Sequence, residues 1–94
     1  MSLIVLAASG ACARRGEPTE ITGVVVEVDS RSLADVRSFE VSSGGDVYVV
    51  FIDPAAHYSF PPSHLRAHLA SAEPVRVGIE RRDERLYATS IEDA

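Results

Sequence analysis

The chain has 94 residues, a formal net charge of −5 at pH 7, 46% hydrophobic residues and 24% charged residues. That is about one small domain with enough apolar material for a core, which excludes a second domain and a disordered chain. The acidic balance opposes the counterion release behind non-specific nucleic-acid affinity, and so argues against a DNA or RNA binder.

At the amino terminus, Leu3 to Ala8 (LIVLAA) form an apolar run, the small residues Ser9, Gly10 and Ala11 follow, and Cys12 comes next, the only cysteine. This order resembles a bacterial lipoprotein signal ending in a lipobox, with Ser9 where that pattern usually has Leu and no basic residue ahead of the run. The resemblance implies export, a signal segment 1–12 and lipidation at Cys12, hence a periplasmic or extracellular protein tethered to the membrane by a lipid anchor. The competing reading is an internal strand or helix with Cys12 as a small buried hydrophobe. The run itself falls short of the about 20 apolar residues that span a bilayer. With one cysteine there is no internal disulfide, so the fold must rest on its apolar core. Residues 13–19 (ARRGEPT) carry mixed charge, Gly16 and Pro18, as a polar tether does, and the domain takes 20–94.

Within the domain, Ile21 to Asp29 alternates, with Val24, Val26 and Val28 on one face and Val25, Glu27 and Asp29 on the other, the period of a half-buried strand. Val36 to Ser42 resumes the alternation, placing Arg37, Phe39 and Val41 opposite Val36, Ser38 and Glu40. Gly44 and Gly45 then supply the positive φ of a tight hairpin before a third strand, Val47 to Ile52. Pro54 to Pro62 (PAAHYSFPP) must be a loop, since its prolines lack backbone donors. Pro62 can open a helix, and Ser63 to Ala72 sets Leu65 and Leu69 on one face until Pro74 ends it. Val75 to Arg81 and Leu86 to Ile91 form a closing hairpin across Arg82 to Arg85, with Gly23 and Gly78 where coiled strands could bend.

Three strands, a helix and two strands in this order resemble the OB-fold, a five-stranded Greek-key barrel. The fold class expected is therefore all-β with one helix, an OB-like barrel with the helix between strands 3 and 4; an SH3-like barrel is second. The resemblance rests on element order over residues 20–94 and extends to small exported bacterial OB-fold domains, for which it implies binding without chemistry.

Three candidate sites follow. His64 and His68, at i and i+4 on the helix, put two imidazoles on one face as helical zinc or copper pairs do, with His57 on the loop as a third ligand and Asp53 or Glu73 as oxygen donors. Leu65 and Arg66 replace the glutamate of a zinc-protease motif, and the pair can equally flank the leucine stripe as packing and surface residues. Arg37, Phe39 and Tyr48 mark the strand 2–3 face on which OB-folds take ligands, although Phe39, Val49 or Phe51 also suit the core. Arg81 to Arg85 (RRDER) reads as a solvated turn whose acids can satisfy its arginines, or as an anion site. Carboxylate pairs stand at Glu27/Asp29 and Glu92/Asp93, and nothing in the sequence places either in a cleft. No nucleophile elbow, free thiol or phosphate loop is present, so no enzyme is expected. The function expected is a non-catalytic binding or interaction module of the bacterial cell envelope, its partner an envelope protein or small ligand. The alternatives are a zinc- or copper-binding periplasmic domain and a small-molecule or oligosaccharide binder.

Overall fold

The computed structural model describes residues 19–94. The signal segment 1–12, Cys12 and all but the last residue of the tether lie outside the described residues. Five strands and one helix follow: β1 (Glu20–Ser32), β2 (Asp35–Ser43), β3 (Asp46–Phe51), α1 (Pro62–Ser71), β4 (Val75–Arg82) and β5 (Arg85–Asp93). They occur in the expected order, with α1 between β3 and β4.

The strands close a barrel in the order β1-β2-β3-β5-β4, and β4 returns to β1. Every pairing is antiparallel except β3 with β5. This is the OB-like Greek key that the element order implied. Closure depends on β1 serving two neighbours. Its first residues, Glu20 to Gly23, pair with β4, and from Val24 onward it pairs with β2. Just ahead of β1, the Thr19 carbonyl accepts the Ile79 N–H at 2.9 Å.

Bulges let long strands curl around so small a core, and they reset which side chains face inward. Between Val25 and Glu27, β1 advances two residues while β2 advances one. The face expected for β1 is therefore corrected: Ile21 and Val25 are buried, Val28 packs against the core, and Val26 stands outside. In β2 the extra residue is Arg37, opposite the step from Asp29 to Ser30. Arg37 is exposed while Phe39, with 0% of its surface accessible, and Val41 are sealed in the core. In β3, Val50 is buried and Tyr48 packs against the core, whereas Val47 and Val49 face solvent. Val49 is thus not a core residue.

The core joins Phe39, Val41 and Val50 to Val75, Val77 and Ile79 of β4, Ala88 and Ile91 of β5, and Phe60 and Leu65 from the helical side. Burial of each large side chain contributes about 1.5–3 kcal/mol. Gly44 (φ 60°) and Gly45 (φ 91°) make the expected tight β2–β3 turn. The β4–β5 turn uses the same left-handed backbone without glycine, at Asp83 (φ 50°) and Glu84 (φ 70°).

Pro62 sits in the first turn of α1, and the helix ends at Ala72 in the left-handed conformation (φ 63°), whose N–H bonds the His68 carbonyl at 2.9 Å. Its buried face is Leu65 and His68, not the expected Leu65 and Leu69. Leu69 is 38% exposed. Two tethers fix the helical segment on the barrel. Arg66 donates to the Leu33 carbonyl at 2.7 Å and to Ser30 Oγ at 3.0 Å, clamping α1 to the β1–β2 turn. The Tyr58 hydroxyl donates to the Ala88 carbonyl at 2.8 Å and accepts the Asp53 N–H at 3.0 Å, pinning the long loop.

Candidate binding sites on the barrel

Two regions of the barrel gather candidate binding side chains. The first is an open groove of about 630 Å³ between the β1–β2 turn and the start of β5, lined by Arg31, Arg37, Phe51, Ile52, Arg85 and Tyr87 among others. That volume suits a compact ligand. The bulge that turns Arg37 outward aims it here. The three residues expected to share a ligand face do not: Arg37 lines the groove, Phe39 lies in the core, and Tyr48 packs inward. Parity in β3 explains the exchange, because Phe51, three residues beyond Tyr48, emerges on the opposite face and pairs with Tyr87 across the parallel β3–β5 junction.

Of the groove's arginines, Arg85 rests on a ring, and Arg82 beside the groove does the same. The guanidinium of Arg85 lies 4.5 Å from the centre of Phe51, and that of Arg82 lies 4.6 Å from the centre of Tyr87. Arg31 is paired with Asp35 at 3.2 Å, and Arg82 with Asp53 at 3.0 Å and Glu80 at 3.3 Å. So Arg82 is satisfied by Asp53 and Glu80 rather than by the acids of its own turn. The Ala55 N–H, followed by Arg82, holds the Asp53 carboxyl below the usual carboxylate range. Among the described residues, no carboxylate pairs with Arg37 or Arg85. Two guanidiniums are therefore presented to the groove with their donors available, and Asp29 lines the same space.

The second region is at the far end of β5. One helical turn brings His64 and His68 together, with ring centres 5.1 Å apart, and both Nε2 atoms stand against a single oxygen, Asp93 Oδ1, at 2.9 and 2.7 Å. Phe60 braces both rings, its centre 4.5 Å from His64 and 5.4 Å from His68. The His68 ring is buried and its Nδ1 donates to the Glu73 carbonyl at 2.7 Å, an acceptor that keeps a proton on Nδ1. That bond, helped by Asp93 and opposed by burial, raises the His68 pKa above its ordinary 6.5. The hydrogen bonds from His64 and then His68 hold Asp93 below its ordinary 3.8.

The structure brings His64 and His68 together on one helix face, and the residue that joins them is not His57. His57 is an exposed loop residue outside this group, and Asp53 is engaged with Arg82. Glu73 contributes its backbone carbonyl. Asp93, separated from His68 by 25 positions, completes the group. It carries no local signal, since only the β4–β5 hairpin returns it to the helix. Compared with protein-family models, with curated proteins and with solved structures, the chain matches none.

Proposed function

We propose that this chain is a non-catalytic binding module of the bacterial cell envelope, taking a compact, hydroxyl-rich anionic ligand such as an acidic saccharide unit in the groove between the β1–β2 turn and β5. The observation that carries this reading is the pair of arginines, Arg37 and Arg85, that face one groove without a carboxylate partner among the described residues. Guanidinium forks match carboxylate geometry. Arg85 is also held in place by Phe51, which lowers the entropy lost on binding. Asp29 and Asp35 line the same groove and can accept from ligand hydroxyls, while they oppose a uniformly anionic polymer. This supports a saccharide acid over a nucleic acid.

An amide NMR titration of the chain with hexuronic acids, their short oligomers and neutral sugars tests the assignment. Saturable shifts are expected at residues 31–37, 51–53 and 85–87, from the acidic sugars only. A hydrogen bond to a charged group contributes about 1.5–3 kcal/mol, so Arg37→Ala and Arg85→Ala should each weaken binding about tenfold or more. Both lie on the surface, and their denaturation midpoints should stay close to the parent's. A flat response to the whole panel overturns the ligand class.

The envelope location is supported by the LIVLAA run and the small residues before Cys12. In a bacterial host, labelled palmitate should mark the parent chain and spare Cys12→Ser. Equal labelling of the two removes the lipid anchor.

A further inference from the structure

The His64, His68 and Asp93 group lies about 25 Å of strand away from the groove, since Asp93 stands eight positions along β5 from Arg85. It shares no residue with the groove, and the saccharide reading leaves it unused. We propose that His64 Nε2, His68 Nε2 and an Asp93 carboxylate oxygen form a binding site for one borderline-soft divalent ion, zinc or copper(II), that staples α1 to the end of β5.

The geometry comes first. The three ligand atoms lie within 4.8 Å of one another. Bonds of about 2.0–2.1 Å to a tetrahedral ion place ligand atoms about 3.4 Å apart. The nitrogen–oxygen separations of 2.9 and 2.7 Å therefore need to open by about 0.5 and 0.7 Å, and the two imidazole nitrogens to close by about 1.4 Å at most. His64 and Asp93 are exposed, with side chains 45% and 64% accessible, so they can adjust while buried His68 stays fixed.

The chemistry of the donors agrees. A metal-binding histidine usually donates its other ring N–H to a carbonyl or carboxylate, which fixes the tautomer and orients the ring. The His68 Nδ1 bond to the Glu73 carbonyl at 2.7 Å does this, and Nε2 coordinates once the ion displaces the proton it donates to Asp93. Two imidazoles and one carboxylate select zinc or copper(II) over magnesium or calcium, which prefer oxygen donors throughout. The exposed side of the group leaves further coordination positions to water.

The experiment titrates the untagged chain carrying Cys12→Ser, so that the thiol does not compete, with zinc and with copper(II) against a chromophoric chelator, and follows the histidine ring signals for zinc. One equivalent should saturate the protein with a Kd of about 10 µM or tighter, moving the His64 and His68 rings and leaving His57 in place. His64→Ala and Asp93→Asn should each weaken binding at least about tenfold while keeping the parent's metal-free amide spectrum, and His57→Ala should bind as the parent does. Absence of saturation below about 1 mM, or unchanged affinity in both His64→Ala and Asp93→Asn, overturns the site. Neither result bears on the groove, whose saccharide titration is run with chelator present.

Discussion

Gly23→Ala should cost the barrel at least about 3 kcal/mol, while the same change at Gly78 costs about 1 kcal/mol. A β-carbon on Gly23 would stand 2.1 Å from the Ser42 carbonyl oxygen, 2.9 Å from its carbon and 3.0 Å from Ser43 Cβ. The obstacle is backbone of a hydrogen-bonded neighbour, so no rotamer relieves it. The position also matters to topology, because Gly23 is the last residue of β1 paired with β4, and Val24 next to it pairs with Ser42 of β2. Ser43 Oγ bonds the Thr22 carbonyl at 2.7 Å beside it, so the two chains are already in close approach. Moving Ser42 away to admit a methyl group would open the seam at which the barrel closes. At Gly78 the atoms met are the Thr89 and Ser90 hydroxyls, at 2.6 and 2.7 Å, which can rotate. Gly78 also borders the register shift between β4 and β5, where the ladder is already loosened. Urea denaturation of the two variants measures the difference, and hydrogen exchange should show lost protection at the β1–β4 pairing in Gly23→Ala. A loss below about 1 kcal/mol for Gly23→Ala would mean that β1 and β2 can separate there without unfolding.

Features that were legible in advance share one property: each is written in neighbouring residues. Alternating valines gave the strands, Gly44 and Gly45 the β2–β3 turn, Pro62 the start of the helix, and their order the barrel. Bulges are not written that way. Nothing local at Val26 or Arg37 marks an extra residue, yet each reassigns the side chains around it, so Val25 moves inward and Phe39 leaves the ligand face to which Arg37 belongs. The β4–β5 turn adopts left-handed backbone at Asp83 and Glu84 where no glycine announced it. For the histidine group the local part, the i and i+4 spacing, could be read, while Asp93 could not. One acid among 14 becomes special only when a sheet register carries it to a helix.

His68→Ala should destabilise the metal-free protein by about 2–4 kcal/mol, whereas Leu69→Asp, on the face that helical spacing had favoured, should cost under about 1 kcal/mol. His68 is 5% exposed, packs on Phe60, and bonds the Glu73 carbonyl and Asp93 at once, so its removal leaves a cavity and an unpaired carbonyl. Leu69 is already in water for much of its surface, and an aspartate there suffers only weaker helix propensity and the unfavourable end of the helix dipole. The same ring predicts a pH dependence that the aliphatic stripe would not. Bonding Glu73 and Asp93 together requires both His68 nitrogens to carry protons, and its folded pKa is raised, so this stabilisation is complete below the ordinary imidazole value of 6.5 and is lost as pH rises through the folded value. Asp93 has the opposite sign: its folded pKa is lowered, so its contribution is complete above the ordinary 3.8 and disappears as pH falls through the folded value. Both terms are therefore full between about pH 4 and 6.5, and stability of the chelator-treated protein should decline from that window toward neutral and alkaline pH. Denaturation midpoints taken across this range for the parent, His68→Ala and Leu69→Asp separate the contributions. The alkaline decline should persist in Leu69→Asp and flatten in His68→Ala; a decline of equal size in His68→Ala would move its origin away from the helix seat.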